Sequence, residues 1–129
     1  MPDILMIEDE PNIAQAVAFI LSRDGWQVAL HGDGLGGIEA IRGARPRLVI
    51  LDLMLPHRSG AEILADLRGD PDPALAATPV LMLTARGQAE MPRADAVLAK
   101  PFANDDLRAM VRRMLVRDGG GHAGSAAVS

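Results

Sequence analysis

Apolar residues along this chain occur both in short continuous runs and in longer stretches where they recur every three or four positions. Short runs are typical of strands buried on both faces, whereas the three-and-four spacing is typical of one face of a helix. The runs predict five strands, at residues 3–7, 26–30, 48–53 and 80–83 and around residues 97 and 98. The helical spacing predicts helices over residues 13–21, 38–41, 63–67 and 105–117.

Glycine, proline and acidic residues mark the ends of these elements. The first helix closes at Asp24 and Gly25, the second is stopped by Gly43 and Pro46, and the third fades over residues 69–73. Strands that alternate with helices form a parallel sheet whose right-handed crossovers place helices on both faces. The pattern therefore predicts an α/β domain.

The chain after the fourth strand departs from this regular alternation. Between residues 84 and 100 the apolar content is short and is interrupted by Gly87 and Pro92, so helix 4, expected between the fourth and fifth strands, is predicted to be shortened or lost. Residues 119–129 are rich in Gly, Ala and Ser and predict a flexible tail. The predicted domain accordingly covers residues 1–118.

Composition narrows the range of functions. With 129 residues the chain has room for one compact domain. It has no cysteine, which excludes a disulfide framework and cysteine-based zinc or nucleophile chemistry and fits a reducing, cytoplasmic location. No apolar stretch is long enough to span a membrane. The net charge of −4 argues against direct nucleic-acid binding, because neutralising phosphates requires a basic surface.

Polar residues stand at the ends of four predicted strands. Glu8 and Asp9 follow the first, Asp52 lies near the end of the third, Thr84 follows the fourth, and Lys100, the chain's single lysine, ends the fifth. In open parallel sheets, ligands bind beyond the carboxyl ends of the strands. If the first and third strands are neighbours, three carboxylates crowd together and oppose one another's ionisation unless a cation joins them.

The residue types at this edge indicate the chemistry. Oxygen ligands without cysteine or paired histidines favour Mg²⁺, with Mn²⁺ as a substitute. A carboxylate beside such an ion, with a hydroxyl and an ammonium opposite, is suited to accept a phosphoryl group as an aspartyl phosphate. Asp52 stands out among these carboxylates, because an unpaired carboxylate in an apolar strand is costly.

Four separated motifs occur in order along the chain: Glu8-Asp9, then Leu51-Asp52-Leu53 with Pro56 and Gly60, then Leu83-Thr84-Ala85, then Lys100-Pro101-Phe102. Together they resemble the receiver domain of two-component response regulators, closest in style to the transcriptional OmpR/PhoB-like group, over about residues 3–117. The resemblance implies a flavodoxin-like, doubly wound sheet of five parallel strands in the order 2-1-3-4-5, with helices on both faces.

The resemblance also implies a role for each residue of the acidic group. Asp52 would be the phosphoacceptor, and Asp9 and Asp52 would be direct ligands of Mg²⁺. Glu8 stands where the family has a second acid that often binds the ion through water. Met54 would offer its backbone carbonyl as a further ligand.

Opposite the acids, the resemblance makes Thr84 the switch hydroxyl and Lys100 the partner of the phosphoryl group. The peptide bond between Lys100 and Pro101 would be cis. Two features depart from the family. Val97 stands where an aromatic switch residue is usual, and the 15 residues between Thr84 and Lys100 make a shorter interval than usual. We therefore expect intact phosphoryl chemistry with an altered signalling surface.

The partner implied by the resemblance is a sensor histidine kinase or a histidine phosphotransfer protein. The chain would be a signalling domain that catalyses its own phosphorylation and dephosphorylation, either alone or as part of a larger regulator. His57, in the loop after Asp52, is a candidate for tuning the lifetime of the phosphoryl group. A basic stripe on the last helix is a candidate homodimer or partner surface, formed by Arg108, Arg112, Arg113 and Arg117.

Two other interpretations stay open. The chain could be a pseudo-receiver-like module that binds proteins independently of phosphorylation. Residues 32–37 also have the glycine spacing of a dinucleotide fingerprint, with Asp52 downstream. That interpretation is weaker, because Asp33 would place a carboxylate near the pyrophosphate and Glu8, Thr84 and Lys100 would have no role.

Overall fold

The computed structural model describes residues 1–85 and 93–118, which form five strands and five helices. In chain order the elements are β1 (Ile4–Ile7), α1 (Pro11–Arg23), β2 (Val28–His31), α2 (Gly37–Ala44), β3 (Leu48–Asp52), α3 (Gly60–Arg68), α4 (Pro73–Ala76), β4 (Val80–Ala85), β5 (Ala96–Lys100) and α5 (Asn104–Asp118). Among these residues, no helix is both long enough and apolar enough to cross a membrane.

The strands form one parallel sheet in the order β2-β1-β3-β4-β5. This confirms the predicted flavodoxin-like fold. The register places Ile7 of β1 opposite Leu51 of β3, and Asp52 of β3 opposite Leu83 of β4. Because β1 and β3 are neighbours, the acids that follow β1 emerge beside the end of β3.

The core lies on both faces of the sheet. On β1, Ile4 and Met6 join the cluster under α1 and α5, whereas Leu5 and Ile7 join the cluster under α2 and α3. Each such side chain contributes roughly 1.5–3 kcal/mol when it is fully buried. Two-sided burial therefore explains why the strands read as continuous apolar runs.

The ends of α1 and α3 follow the signals in the sequence. Pro11 occupies the first turn of α1, and the helix ends at Asp24, followed by Gly25 with φ +97°. At α3, the Ser59 side chain accepts the backbone N–H of Glu62, whose carboxylate accepts the N–H of Ser59. The capping box thus fixes α3 at the end that faces the carboxyl edge of the sheet.

The predicted boundaries of α2 and β2 differ from the structure in an informative way. Of the two predicted stops of α2, Gly43 lies inside the helix, which continues to Ala44 and ends at Arg45 in the left-handed region, with φ +47°, directly before Pro46, the other predicted stop. A glycine inside a helix costs only about 1 kcal/mol, which the burial of the helix's apolar face outweighs. Strand β2 begins at Val28 instead of Trp26, because the Trp26 N–H bonds to the carbonyl of Leu21 at the end of α1.

The sequence also predicted no structure where α4 forms. Asp72 caps this single turn by accepting the N–H of Ala74 at 3.0 Å, and Leu75 is buried beneath it. The prediction of a shortened or lost helix between β4 and β5 concerns the segment between Thr84 and Lys100, of which residues 86–92 lie outside the described residues, so it stays a prediction. The predicted tail at 119–129 also lies outside them, so the boundary at residue 118 stays a prediction.

Candidate functional site

Three acidic side chains converge at the carboxyl edge of the sheet. One carboxylate oxygen from each of Glu8, Asp9 and Asp52 lies within 4.8 Å of those of the other two. Glu8 is 2% exposed and Asp52 is 4% exposed, whereas Asp9 faces solvent. We call these three residues the acidic cluster. The predicted convergence of the first and third strand ends is confirmed.

Lys100 closes the cluster from β5. Its Nζ lies 3.2 Å from Oδ2 of Asp52 and 3.2 Å from Oε1 of Glu8. Burial opposes the charged ammonium, but the carboxylates of Asp52 and Glu8 outweigh it and raise the pKa of Lys100 above its usual value. The bond to Pro101 is cis, as predicted. The side chain thus stays charged and reaches two of the three acids.

The charges in the cluster do not balance. Burial raises the pKa of Glu8, and the nearby Asp52 carboxylate raises it further. The hydrogen bond from the Glu10 N–H and the ammonium of Lys100 lower it, but they do not cancel the rise. In this cluster a single ammonium faces three carboxylates. The three carboxylates offer a set of metal ligands made only of oxygens. Such a set fits a hard divalent cation, Mg²⁺ or Mn²⁺, whose charge would relieve the excess.

The predicted neighbours of Asp52 lie at the same edge. The Met54 N–H donates to Oδ1 of Asp52 at 3.3 Å, which fixes the start of the loop between β3 and α3. Thr84 is buried near the end of β4, one position beyond the Leu83–Asp52 pair. The Met54 carbonyl as a ligand and the Thr84 hydroxyl as a switch stay predictions.

Val97, at the position expected for an aromatic switch residue, lies on the edge strand β5 and is 38% exposed. Its strand partner is Met82. The structure thus places this departure at a partly exposed position on the edge strand.

The basic stripe of the last helix is only partly free. Arg108 is bound to Asp24, at the end of α1, by two hydrogen bonds of 2.8 and 2.9 Å. Arg112 and Arg113 are exposed. The side chain of Arg117 lies outside the described residues. A partner surface on this helix stays a prediction, but Arg108 joins α1 to α5 instead of facing solvent freely.

The glycine-rich segment forms the loop between β2 and α2. Asp33 in this loop accepts the N–H of Leu35 and also contacts the imidazole of His57, in the loop after β3. Sequence reasoning noted both residues separately but missed their contact. The only signal available was that both loops leave the same edge of the predicted sheet, from the strands on either side of β1.

The comparison with protein families agrees with the geometry. The family described as the response regulator receiver domain matches residues 4–112. That match covers the whole sheet and most of the last helix, and the strand order and acidic cluster are those expected from the resemblance. The chain belongs to the response regulator receiver domain family.

Curated relatives point the same way. The chain is 38% identical over 122 residues to the probable transcriptional regulatory protein TcrX of Mycobacterium tuberculosis, covering 90% of this chain and 50% of TcrX. It is 36% identical over 121 residues to the DNA-binding response regulator MtrA of Mycolicibacterium smegmatis, covering 89% of this chain and 51% of MtrA. The chain thus spans about half the length of these relatives. Their names are those of transcriptional regulators, the group whose motifs the sequence resembles.

Solved structures confirm the fold. A putative response regulator from Chloroflexus aurantiacus superposes with a TM-score of 0.80 at 28% identity, covering 90% of this chain and 99% of that one. The receiver domain of a putative Luxo repressor protein from Vibrio parahaemolyticus gives 0.82 at 26% identity, covering 95% of each chain. Neither comparison supports a dinucleotide-binding domain or a phosphorylation-independent module.

Proposed function

We propose that this receiver domain accepts a phosphoryl group on Asp52 from a phosphohistidine of a sensor histidine kinase or a histidine phosphotransfer protein. The observation that carries the proposal is the position of the Asp52 carboxylate. It is buried at the carboxyl edge of the sheet, next to two further acids and 3.2 Å from the ammonium of Lys100.

In the proposed transfer, an oxygen of the Asp52 carboxylate forms a bond to phosphorus as the bond from phosphorus to the donor imidazole nitrogen breaks. The imidazole leaves with that electron pair and takes up a proton. Lys100 then stabilises the negative charge on the transferred oxygens, because its ammonium already lies against the acceptor carboxylate. Thr84, at the end of the neighbouring strand, supplies a hydroxyl that can donate to a phosphoryl oxygen.

The acidic cluster would hold Mg²⁺ during this reaction. Asp9 and Asp52 would bind the ion directly, Glu8 through water, and Met54 through its backbone carbonyl. When bound, the ion supplies positive charge that offsets the charge of the phosphoryl oxygens. The surplus of carboxylates over ammonium groups in the cluster supports this assignment.

Hydrolysis of the aspartyl phosphate would return Asp52 to its starting state, so the domain would catalyse its own dephosphorylation. The chain spans about half the length of its curated relatives, so their output and partners are not carried over to it. MtrA is named a DNA-binding regulator, so the absence of direct nucleic-acid contact stays a prediction for this chain. The cytoplasmic location stays a prediction as well.

Acetyl phosphate with Mg²⁺ tests the proposal without a cognate kinase. Intact-mass spectrometry should show the gain of one phosphoryl group in the parent chain and none in Asp52→Asn. Asp106→Asn is the matched control, because Asp106 is an exposed acid on α5 outside the acidic cluster. A parent chain that gains no mass, or an Asp52→Asn variant that still gains it, would refute the proposal and favour a phosphorylation-independent binding module.

A further inference from the structure

A contact between the loop after β2 and the loop after β3 has no role in the proposed transfer. The imidazole Nδ1 of His57 lies 3.0 Å from both carboxylate oxygens of Asp33. His57 belongs to the loop between β3 and α3, which begins next to Asp52, and Asp33 belongs to the loop between β2 and α2. We propose that His57 is a positioning residue that holds the loop after Asp52 in its metal-binding conformation. This inference rests on the proposed function.

The direction of the hydrogen bond follows from the charge of Asp33. The hydrogen bond with His57, followed by that from the Leu35 N–H, holds the pKa of Asp33 below its usual value, so the carboxylate is ionised at neutral pH. An ionised carboxylate can only accept hydrogen bonds, so Nδ1 of His57 must carry the proton. The contact is therefore a directed donor–acceptor pair.

The backbone of His57 would not favour this conformation by itself. Its φ is +67°, in the left-handed region that glycine and asparagine adopt more readily than other residues. Arg45 is the other non-glycine residue with positive φ within 1–85 and 93–118, and it ends a helix. His57 instead lies in a loop, where its bond to Asp33 offsets the backbone cost.

The two loops are also in close backbone contact. A Cβ added at Gly34 would overlap the carbonyl of Arg58, and it would lie 2.8 Å from the carbonyl oxygen of Pro56. His57 stands between these two residues. Backbone packing therefore prevents this part of the chain from moving toward the β2–α2 loop, and the contact with Asp33 holds it from moving away.

The same loop closes onto the acceptor. The N–H of Gly60 bonds to the carbonyl of Leu53 at 2.9 Å, and the N–H of Met54 bonds to Asp52 at 3.3 Å. The loop is thus held at its start, at its end and, through His57, in its middle. Releasing the middle allows movement of the Met54 carbonyl, which the proposed function assigns to the metal.

The contact is too exposed to act through the stability of the whole fold. The side chains of His57 and Asp33 are 63% and 36% exposed. Exposed pairs contribute little to global unfolding. Its effect should therefore appear in the loop and in metal binding, with little change in the melting temperature.

Two substitutions at His57 separate the side-chain bond from the backbone. His57→Gly accepts the positive φ but has no donor. His57→Asn also tolerates the left-handed region, and its amide nitrogen occupies the same branch position as Nδ1 of histidine. Asp33→Asn removes the charge from the other partner while keeping an acceptor for the Leu35 N–H.

Calorimetric titration of the metal-free full chain with Mg²⁺ tests the inference, with hydrogen exchange of the loop amides as a second readout. His57→Gly should weaken Mg²⁺ binding by about threefold to tenfold and speed amide exchange at Met54 and Gly60. His57→Asn should stay within about twofold of the parent. Combining His57→Gly with Asp33→Asn should add little to the loss from either change.

The inference is overturned if His57→Gly binds Mg²⁺ as tightly as the parent, or if His57→Asn loses as much as His57→Gly. Phosphorylation by acetyl phosphate, measured in parallel, separates this failure from that of the proposed function. A parent chain that takes up neither Mg²⁺ nor phosphoryl group refutes the proposed function, and the inference falls with it. A competent parent matched by His57→Gly refutes the inference alone.

Discussion

Glu8 is the most deeply buried acid of the acidic cluster. Its carboxylate is buried, close to Asp52, and has the ammonium of Lys100 at 3.2 Å. Burial is the largest cause of its raised pKa, so the folded, metal-free protein holds a proton on Glu8 more tightly than the unfolded chain does. The stability that Glu8 contributes is therefore complete at low pH and is lost as the pH rises through its folded pKa.

The direction of this pKa shift predicts how the substitution Glu8→Gln changes stability with pH. Without Mg²⁺, the free energy of unfolding of Glu8→Gln, relative to the parent, should rise as the pH rises from below the ordinary pKa of a glutamate through the raised folded pKa of Glu8, because glutamine has no such loss. Denaturant unfolding at several pH values measures the difference. Glu39→Gln, at an exposed position on α2, should show a flat difference. A flat or falling difference for Glu8→Gln would mean that the folded protein does not disfavour its charge.

The sequence could identify the residues of the cluster but not their contacts. Glu8, Asp52 and Lys100 are polar residues at the ends of apolar strands, and parallel strands end at one sheet edge. That pattern is local and can be recognised in the sequence. The contact of Asp33 with His57 depends on the paths of two loops, which no periodicity specifies.

The loop between β3 and α3 is shaped by one close approach. A Cβ at Gly60 would overlap the carbonyl of Asp52 and lie 2.9 Å from the Cα of Leu53. Glycine here lets α3 begin directly against the strand that carries the acceptor. The start of α3 and the position of the Asp52 peptide are thus coupled through backbone contact.

Gly60→Ala should therefore displace this backbone, lowering the free energy of unfolding by about 1–3 kcal/mol and slowing phosphorylation by roughly tenfold or more. Gly43→Ala is the matched control, because Gly43 lies inside α2 and an added Cβ there meets nothing within 4 Å. It should raise stability by about 0.5–1 kcal/mol and leave phosphorylation unchanged. Urea unfolding and intact-mass kinetics measure both. Equal effects of the two substitutions would contradict the coupling.

Strands that are buried along their whole length were predictable from the sequence, whereas a short element held by one cap and one buried side chain was not. Strand β3 was recognised from its apolar run, which the structure buries completely. The single turn α4 depends on the cap from Asp72 and on burial of Leu75, and the sequence around it is dominated by turn residues. The predicted start of β2 at Trp26 was wrong for a related reason, since the N–H of Trp26 bonds to the carbonyl of Leu21 in α1 instead of to a neighbouring strand.

The molecule as a whole is a sheet with a core on each face, and the acidic cluster lies at its carboxyl edge. Arg108 of α5 binds Asp24 at the end of α1, which joins the two helices on one face. A cation bound only by the folded chain must stabilise the whole domain, because unfolding disperses its ligands.

Mg²⁺ at ten times its dissociation constant should thus add about 1.4 kcal/mol to the free energy of unfolding. Asp9→Asn should remove most of this gain, whereas Glu10→Gln should keep it. Glu10 is an exposed acid one residue further on and is not part of the acidic cluster. Thermal melts with and without Mg²⁺ at matched ionic strength measure the gain. An equal gain in Asp9→Asn would place the ion elsewhere.

The identity of the acceptor can be read chemically from the phosphorylated chain. Borohydride reduction converts an aspartyl phosphate to homoserine, and peptide mass spectrometry then locates the change. After treatment with acetyl phosphate and Mg²⁺, we predict homoserine at position 52 and at no other aspartate. Homoserine at position 9, or an unchanged peptide around Leu51-Asp52-Leu53 in a chain that has gained a phosphoryl group, would contradict the assignment of Asp52 as the phosphoacceptor.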